Sequence, residues 1–446
     1  MLRKAINFLR HLWAAEDLRN RILITMFLLV IYRIAAHIPV PGVDPVALRA
    51  LFNNQNSTVL GFLDLLSGGT LANFSVLAMG PYPYITAQII LQLVSPVLPG
   101  MANRQKEDPQ GYQRWMERWT YYVAVPMAAL QSLSQIGLYK VIGNVTIFPN
   151  FGWNLQSIAV VVTMTAGTMF AIWLGELISE YGLKNQGLSL IIFAGIVSRI
   201  PSNFASMFAD EVHRWTSLGV YTAVIVSVIF LIIIVQQGRR NIPVMYPGRR
   251  IGFRQAMPVR ANLPLMVNMA GMIPLIFAGT FISMPAIVAG WVAQVVPSTT
   301  NAFIYNAAQS VVQFMNGNNS GYWVVYFALV VIFTFFYTDV QFTQANFAEN
   351  LRRSGAQIPG VTSGDATQKY LTKVMRRITF PGAFFLGLVA VMPFLVRLII
   401  NYGSSSSMLL ITSSGLLIVV GVVRELYFNL EAELKLRGYD ESLLVK

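Results

Sequence analysis

Ten stretches of the chain are apolar over enough residues to cross a bilayer, at about 22–36, 76–97, 120–141, 158–178, 188–208, 218–235, 265–287, 322–337, 378–400 and 408–423. Nothing else in the sequence constrains the fold as strongly. Hydrocarbon offers the backbone no hydrogen bonds, so each crossing must satisfy its own N–H and C=O groups, which long apolar segments do as helices. The expected fold is an all-α polytopic membrane protein with ten transmembrane helices. A mean hydropathy of +0.56 with only 11% charged residues belongs with that class.

One region does not read as a simple span. From Leu60 to Pro99 the chain is hydrophobic nearly throughout, yet Ser67-Gly68-Gly69 interrupts it and Gly80-Pro81-Tyr82-Pro83 interrupts it again. Broken helices survive in a bilayer only where they are buried in protein or line a cavity. Two readings stand side by side: a pore or binding site beside residues 60–85, or a re-entrant loop and a Pro-kinked helix with no transport role.

With the N-terminus in the cytoplasm, 26 of the 32 Lys and Arg residues fall on the cytoplasmic side, five fall outside, and Arg33 lies within the first span. The positive-inside rule then places both termini in the cytoplasm. Residues 1–21 are amphipathic and charged, without the apolar centre of a cleavable signal peptide, and are expected flat on the membrane surface. An external hinge segment at 209–217 divides the spans into halves at 22–208 and 218–427, and a cytoplasmic tail follows at 428–446. Five spans per half gives the halves opposite orientation, as in inverted-repeat transporters, with any path at their interface. Two cytoplasmic loops, 236–263 and 341–377, are long for connectors, and each carries six basic residues and a Pro-Gly turn. Topology explains the sign of those charges but not the length of the loops.

The chemistry of the chain is sparse. With no Cys there are no disulfides or thiolate metal sites, and His11, His37 and His213 sit in three separate segments. Glu176, Glu180 and Asp339 lie at inner ends of spans, while Arg33 and Arg397 lie toward outer ends. None of these forms a paired-carboxylate, Ser/His or metal-ligand constellation, and the cytoplasmic segments hold no Walker-type loop. The chain is expected not to be an enzyme, to need no cofactor, and to draw its energy from a partner docked on the basic loops.

A series of short motifs in order adds to this. They are Ile38-Pro-Val-Pro-Gly-Val-Asp44, Leu66-Ser-Gly-Gly69, Pro83-Tyr-Ile-Thr86, Gly167-Thr-Met-Phe170, Trp173-Leu-Gly-Glu176, Ile192-Phe-Ala-Gly-Ile-Val197, Leu263-Pro-Leu265, Val267-Asn-Met-Ala-Gly271, Ser354-Gly-Ala356 and Ile358-Pro-Gly360. Between Arg21 and Tyr439 the chain resembles the SecY family, channel subunits of the bacterial protein-conducting translocon. The resemblance implies two inverted five-helix halves, a pore closed by a short plug helix, and a seam that opens toward lipid between spans 2 and 7. Carried onto this sequence, the plug is 60–67, that is Leu60, Gly61, Phe62, Leu63, Asp64, Leu65, Leu66 and Ser67, with Gly68 and Gly69 behind it as a hinge. The pore ring is Pro81, Ile85, Leu188, Ile192, Ile276 and Ile418. Such a ring obstructs water and ions yet widens around a peptide, because apolar contacts are non-directional. Pro81 departs from the aliphatic residue usual there. The lateral gate carries Thr86 and Gln92 on span 2, with Asn268 and Met284 on span 7.

The resemblance also implies partners. The basic loops, with Arg249, Arg250, Arg352 and Arg353, would dock the ribosome and the SecA motor ATPase, although Thr362 stands where the family commonly has Arg. SecE and SecG would be the small membrane subunits, and signal sequences and secretory polypeptides the cargo. The implied function is translocation of unfolded polypeptides across the bacterial cytoplasmic membrane, with lateral release of membrane segments into lipid. Two rivals predict other features. A small-solute transporter needs a polar midplane site with an ion-coordinating acid, and a scaffold would use the broken spans only for packing.

Overall fold

The computed structural model describes residues 13–42, 67, 70, 74–95, 98, 100–101, 104, 108–143, 154–184, 186–209, 214–246, 250–251, 254–255, 259–295, 302–315, 319–345, 347–399 and 406–436. The plug residues 60–66, Arg249, residues 1–12 of the N-terminal segment and the end of the tail lie outside the described residues. Twelve helices are present among the described residues: α1 (Glu16–Ala35), α2 (Tyr82–Val94), α3 (Pro109–Gly143), α4 (Leu155–Tyr181), α5 (Gly187–Ala209), α6 (Arg214–Gln237), α7 (Ile273–Val295), α8 (Ala302–Met315), α9 (Ser320–Ala345), α10 (Phe347–Arg353), α11 (Asp365–Ile399) and α12 (Ser406–Leu436). Four strands, β1 (Arg239–Tyr246), β2 (Arg250–Ile251), β3 (Arg254–Gln255) and β4 (Val259–Met266), lie between α6 and α7. Each of the ten expected spans overlaps one of these helices, but the one expected from 265 begins in β4 and a turn and becomes helical only at Ile273. Among the described residues, four helical stretches are individually long and apolar enough to cross a membrane: Leu155–Tyr181, Ile273–Val292, Ser320–Arg353 and Asp365–Met392.

The chain groups into two compact units, one of residues 1–214, 283–322 and 421–446, the other of 215–282 and 323–420. In the first unit α4 shows how lipid shapes the packing. Its buried face is built largely of Met164, Gly167, Thr168, Ala171 and Gly175, while Leu155, Ile158, Val162 and Trp173 are exposed. Small residues let backbones approach where no hydrophobic drive separates protein from solvent. A Cβ at Gly167 would collide with the Val76 carbonyl, so the approach there requires glycine. Tyr84, Ala87, Ala124 and Ile172 form a core joining α2, α3 and α4, with Leu188 of α5 packed against it. The N-terminal part of α1 packs on the end of α12 through Ala15, Leu18, Leu430 and Leu434. Glu433 ties that contact together, 3.3 Å from Arg21 and 3.8 Å from Lys184.

The second unit contains what the sequence marks as two cytoplasmic loops, and both are folded. β1 and β4 form an antiparallel ladder from Arg239↔Met266 to Tyr246↔Val259, and β2 pairs with β3. Ile242 and Val244 alternate inward along β1, as a strand with one buried face requires. The second stretch begins with α10 and ends as the N-terminal part of α11, which starts at Asp365, well before the expected span at 378. The extension forms because Leu371, Val374, Met375 and Ile378 fall on one helical face and are buried against Ile242, Val244, Leu265, Phe342, Leu351 and Ile358. Met245 and Gln357 exchange backbone hydrogen bonds at 2.8 and 2.9 Å, fastening the hairpin to the other stretch. Within the apolar part of this unit, aromatic rings interlock: Phe277 with Phe333, Phe327 with Phe384, and Trp323 stacked on Phe394 at 5.8 Å.

Candidate functional site

The break in the second span is where sequence and structure meet most closely. α2 starts at Tyr82 rather than near Val76, and residues 74–81 run as turns. Two features stop a helix there. Gly80 has φ +50°, and Phe74 is held at φ 41°. The polar groups released by the break are satisfied from several directions. Val76 N donates to Ile38 O at 2.9 Å, and Val40 N donates to Phe74 O at 3.1 Å. The Thr70 hydroxyl lies 2.5 Å from Leu77 O and 3.0 Å from Ser67 O, and Tyr32 OH on α1 donates to Ser67 O at 2.7 Å. All of these residues except Ile38 and Val76 are buried. The interrupted span is thus a hydrogen-bonded knot inside protein, as a non-helical segment at membrane depth must be.

Gly80 packs against Ser67, whose backbone atoms lie 2.5–2.8 Å from where a Cβ would sit. Ser67, the last residue of the expected plug, is thereby anchored by Tyr32, Thr70 and Gly80 together. Sequence reasoning did not single out Tyr32 or Thr70. The readable signal was a hydroxyl-bearing residue directly after a Gly-Gly break and a Tyr within an apolar span.

The expected ring residues divide between the units. Pro81 and Ile85 sit one turn apart at the start of α2, where Ile85 N donates to Pro81 O at 3.1 Å. Leu188 and Ile192 sit one turn apart near the start of α5. Pro81, Ile192, Ile276 and Ile418 are buried, and Ile85 and Leu188 are half-buried. Pro81 occupies the N-cap position of α2, where its missing N–H costs no helical hydrogen bond.

Of the expected gate residues, Thr86 is buried and has its partner within its own unit, since Gln131 Nε2 on α3 donates to Thr86 Oγ1 at 3.2 Å. Gln131 is a polar residue in an apolar helix and could have been read as a partner from the sequence. Gln92 and Met284 are half-buried. Asn268, in the other unit, donates from Nδ2 to Gly271 O at 3.0 Å and so shapes the turn that starts α7. Toward the C-terminal end of α4, Glu176 accepts a hydrogen bond from Tyr121, which leans on Tyr84.

On the folded basic body made by the hairpin and the α10–α11 stretch, Arg239, Arg240, Arg260, Lys369, Lys373, Arg376 and Arg377 are all exposed. Arg352 and Arg353 are exposed too, but both bond Glu349 Oε1 at 3.1 Å. The hydrogen bond from Arg353, with help from Arg352, holds the Glu349 carboxyl below its ordinary range. Arg376 pairs with Asp339 at 3.1 Å. Arg250 opens β2, and Thr362 uses its carbonyl to accept from Thr367 at 2.9 Å.

A family model described as SecY matches residues 75–427. The chain belongs to the SecY family. It is 34% identical to the protein translocase subunit SecY of Streptomyces scabiei, over 96% of this chain and 97% of that protein. A solved structure described as that of a protein conducting channel matches with a TM-score of 0.64 at 17% identity, covering 93% of this chain and 92% of that one. Sec61 in the canine ribosome–channel complex from the endoplasmic reticulum matches with a TM-score of 0.61 at 16% identity, over 93% and 92%. These likenesses to solved chains are likenesses of fold.

Proposed function

We propose that this chain is the protein-conducting channel of a translocon, moving unfolded secretory polypeptides across the membrane and releasing membrane-protein segments sideways into lipid. The observation that carries this reading is the near-full-length identity to proteins named as SecY translocase subunits. The second span supports it, because a pore-side helix that breaks inside protein gives a channel an internal wall without exposing backbone to lipid. In this reading Pro81, Ile85, Leu188, Ile192, Ile276 and Ile418 form the apolar constriction, residues 60–67 the plug, and Thr86, Gln92, Asn268 and Met284 the lateral gate. The halves at 22–208 and 218–427 are inverted about the path.

The chain has no catalytic role of its own. The driving force comes from a ribosome or the SecA motor ATPase, docked on the basic body that includes Arg249, Arg250, Arg352 and Arg353. A complex of canine Sec61 with the ribosome supports the first. SecE and SecG complete the channel, which sits in a bacterial cytoplasmic membrane with both termini inside.

The test is reconstitution into vesicles with the motor ATPase and small subunits, scoring protease protection of a secretory precursor. Protection that requires this chain, ATP and the motor is expected. Uptake of a small solute coupled to an ion gradient, with no precursor protection, would replace the channel by a transporter.

A further inference from the structure

From Ala261 to Thr338 the sequence contains no Asp, Glu, Lys, Arg or His, a run of 78 residues. In the middle of that run lies α8, which the span pattern of the sequence does not anticipate. It connects α7 to α9, and both belong to stretches long and apolar enough to cross a membrane. The five residue steps from Met315 to Ser320 reach at most about 18 Å, so α8 stays close to the end of α9. A helical chain segment held there is at the membrane surface, on the side where α7 ends rather than where it begins.

The surface of α8 divides into three. Ala308 and Val312 are buried, and α8 packs on α3. On the adjoining side, Phe303, Ile304, Val311 and Phe314 are exposed at 83%, 41%, 36% and 38%. Flanking the patch on its other side, and roughly opposite the buried stripe, are Asn306, Ser310 and Gln313, also exposed. At about 100° per residue, the four apolar side chains form one continuous patch beside the protein-facing stripe. A helix lying only on protein needs one apolar stripe. This one has a second.

We propose that α8 lies in the membrane–water interface, with Phe303, Ile304, Val311 and Phe314 in the acyl region of the leaflet and Asn306, Ser310 and Gln313 among the headgroups. The occupant of the free apolar face is phospholipid. The same unit presents other apolar surface to lipid, since Leu155, Ile158 and Val162 at the start of α4 are exposed. Uncharged polar residues on the outer edge suit an interface, and aromatic side chains at both ends suit its depth. Because the run carries no charge, the attachment is hydrophobic and does not depend on anionic lipid. This inference requires only that the chain spans a membrane and does not rest on polypeptide transport.

The chain has no native Cys, so single cysteines can be introduced and spin-labelled in the full chain at Phe303, Ile304, Asn306, Ser310, Val311, Gln313 and Phe314, in nanodiscs of phosphatidylcholine. Power saturation should show oxygen accessibility exceeding that of a water-soluble nickel complex at 303, 304, 311 and 314, and the reverse at 306, 310 and 313. Adding phosphatidylglycerol should leave the pattern unchanged. Nickel accessibility at all seven sites would put the helix in water and overturn the proposal. Exclusion of both reagents at 303 and 314 would mean that a second protein surface covers the patch, and would overturn it as well. Phe303→Trp, a substitution that conserves bulk, gives a second measurement: brominated lipid should quench its added fluorescence, and absence of quenching would count against lipid contact.

Discussion

At the scale of single residues, the ring positions and Glu349 behave differently. If Ile85, Ile192 and Ile276 line the proposed apolar constriction, replacing any of them with Asn adds polarity where water must be excluded and should let ions leak through the resting channel. Single-channel conductance in planar bilayers checks this, and sealed channels for all three variants would remove these residues from the constriction. Glu349 neutralises part of the charge of Arg352 and Arg353. Glu349→Gln should strengthen docking of an acidic partner surface several-fold at low salt and lose that gain at high salt. The acid side has a definite sign. Because the folded pKa lies below the unfolded one, the stabilisation exists above the unfolded value of about 4.3 and is lost as pH falls through the lowered folded value. Protection of α10 amides in the wild type, expressed relative to the intrinsic exchange rate at each pH, should therefore fall below about pH 4, and protection in Glu349→Gln should stay level over that range.

At the scale of elements, the knot made by residues 67, 70 and 74–81 is the test of how a broken span is tolerated. Gly80→Ala places a Cβ against the Ser67 backbone at a positive φ, a clash that small-to-large changes in packed sites typically turn into a loss of about 1–3 kcal/mol. The expected result is a lowered melting temperature in detergent, and an unchanged one would mean that the Ser67 anchor yields freely. The breakers Gly68, Gly69, Gly80 and Pro81 made the interruption legible in the sequence. The partners that make it affordable did not show, because Tyr32 and Ile38 approach from another span and contacts between distant residues leave no local pattern. The hairpin escaped for a related reason. Arg239, Arg240 and Asn241 read as solvated loop, and only the alternation of Ile242 and Val244 hinted at a strand. α10 and the front of α11 were hidden by their charge, which on a helix only means that one face is wet.

At the scale of the whole molecule, the helical membrane class and the family were legible. Apolar length and ordered motifs are long-range sums that tolerate local error. What was not legible is which segments cohere, such as residues 283–322 grouping with the N-terminal part of the chain. For a channel the decisive question at this scale is whether spans 2 and 7 must part. Thr86→Cys with Met284→Cys tests it, and Cys is close enough to Thr in size to be accommodated beside Gln131. A disulfide would hold the two Cα atoms within about 7 Å. Oxidation should block both recognition of signal sequences and transport, and reduction should restore them. Full translocation by a quantitatively crosslinked protein would show that the seam is a fixed contact.

The β1–β4 ladder has a mechanical meaning of its own. Eight paired residues at about 3.4 Å each make a stiff arm of roughly 27 Å, braced along one side where Met245 bonds Gln357. Its root is closed by Val267 N donating to Gly238 O, directly between the end of α6 and the turn that starts α7. A load borne at the tip is therefore divided between that root, from which α7 departs, and the Met245–Gln357 brace, which hands it to the stretch between α10 and α11.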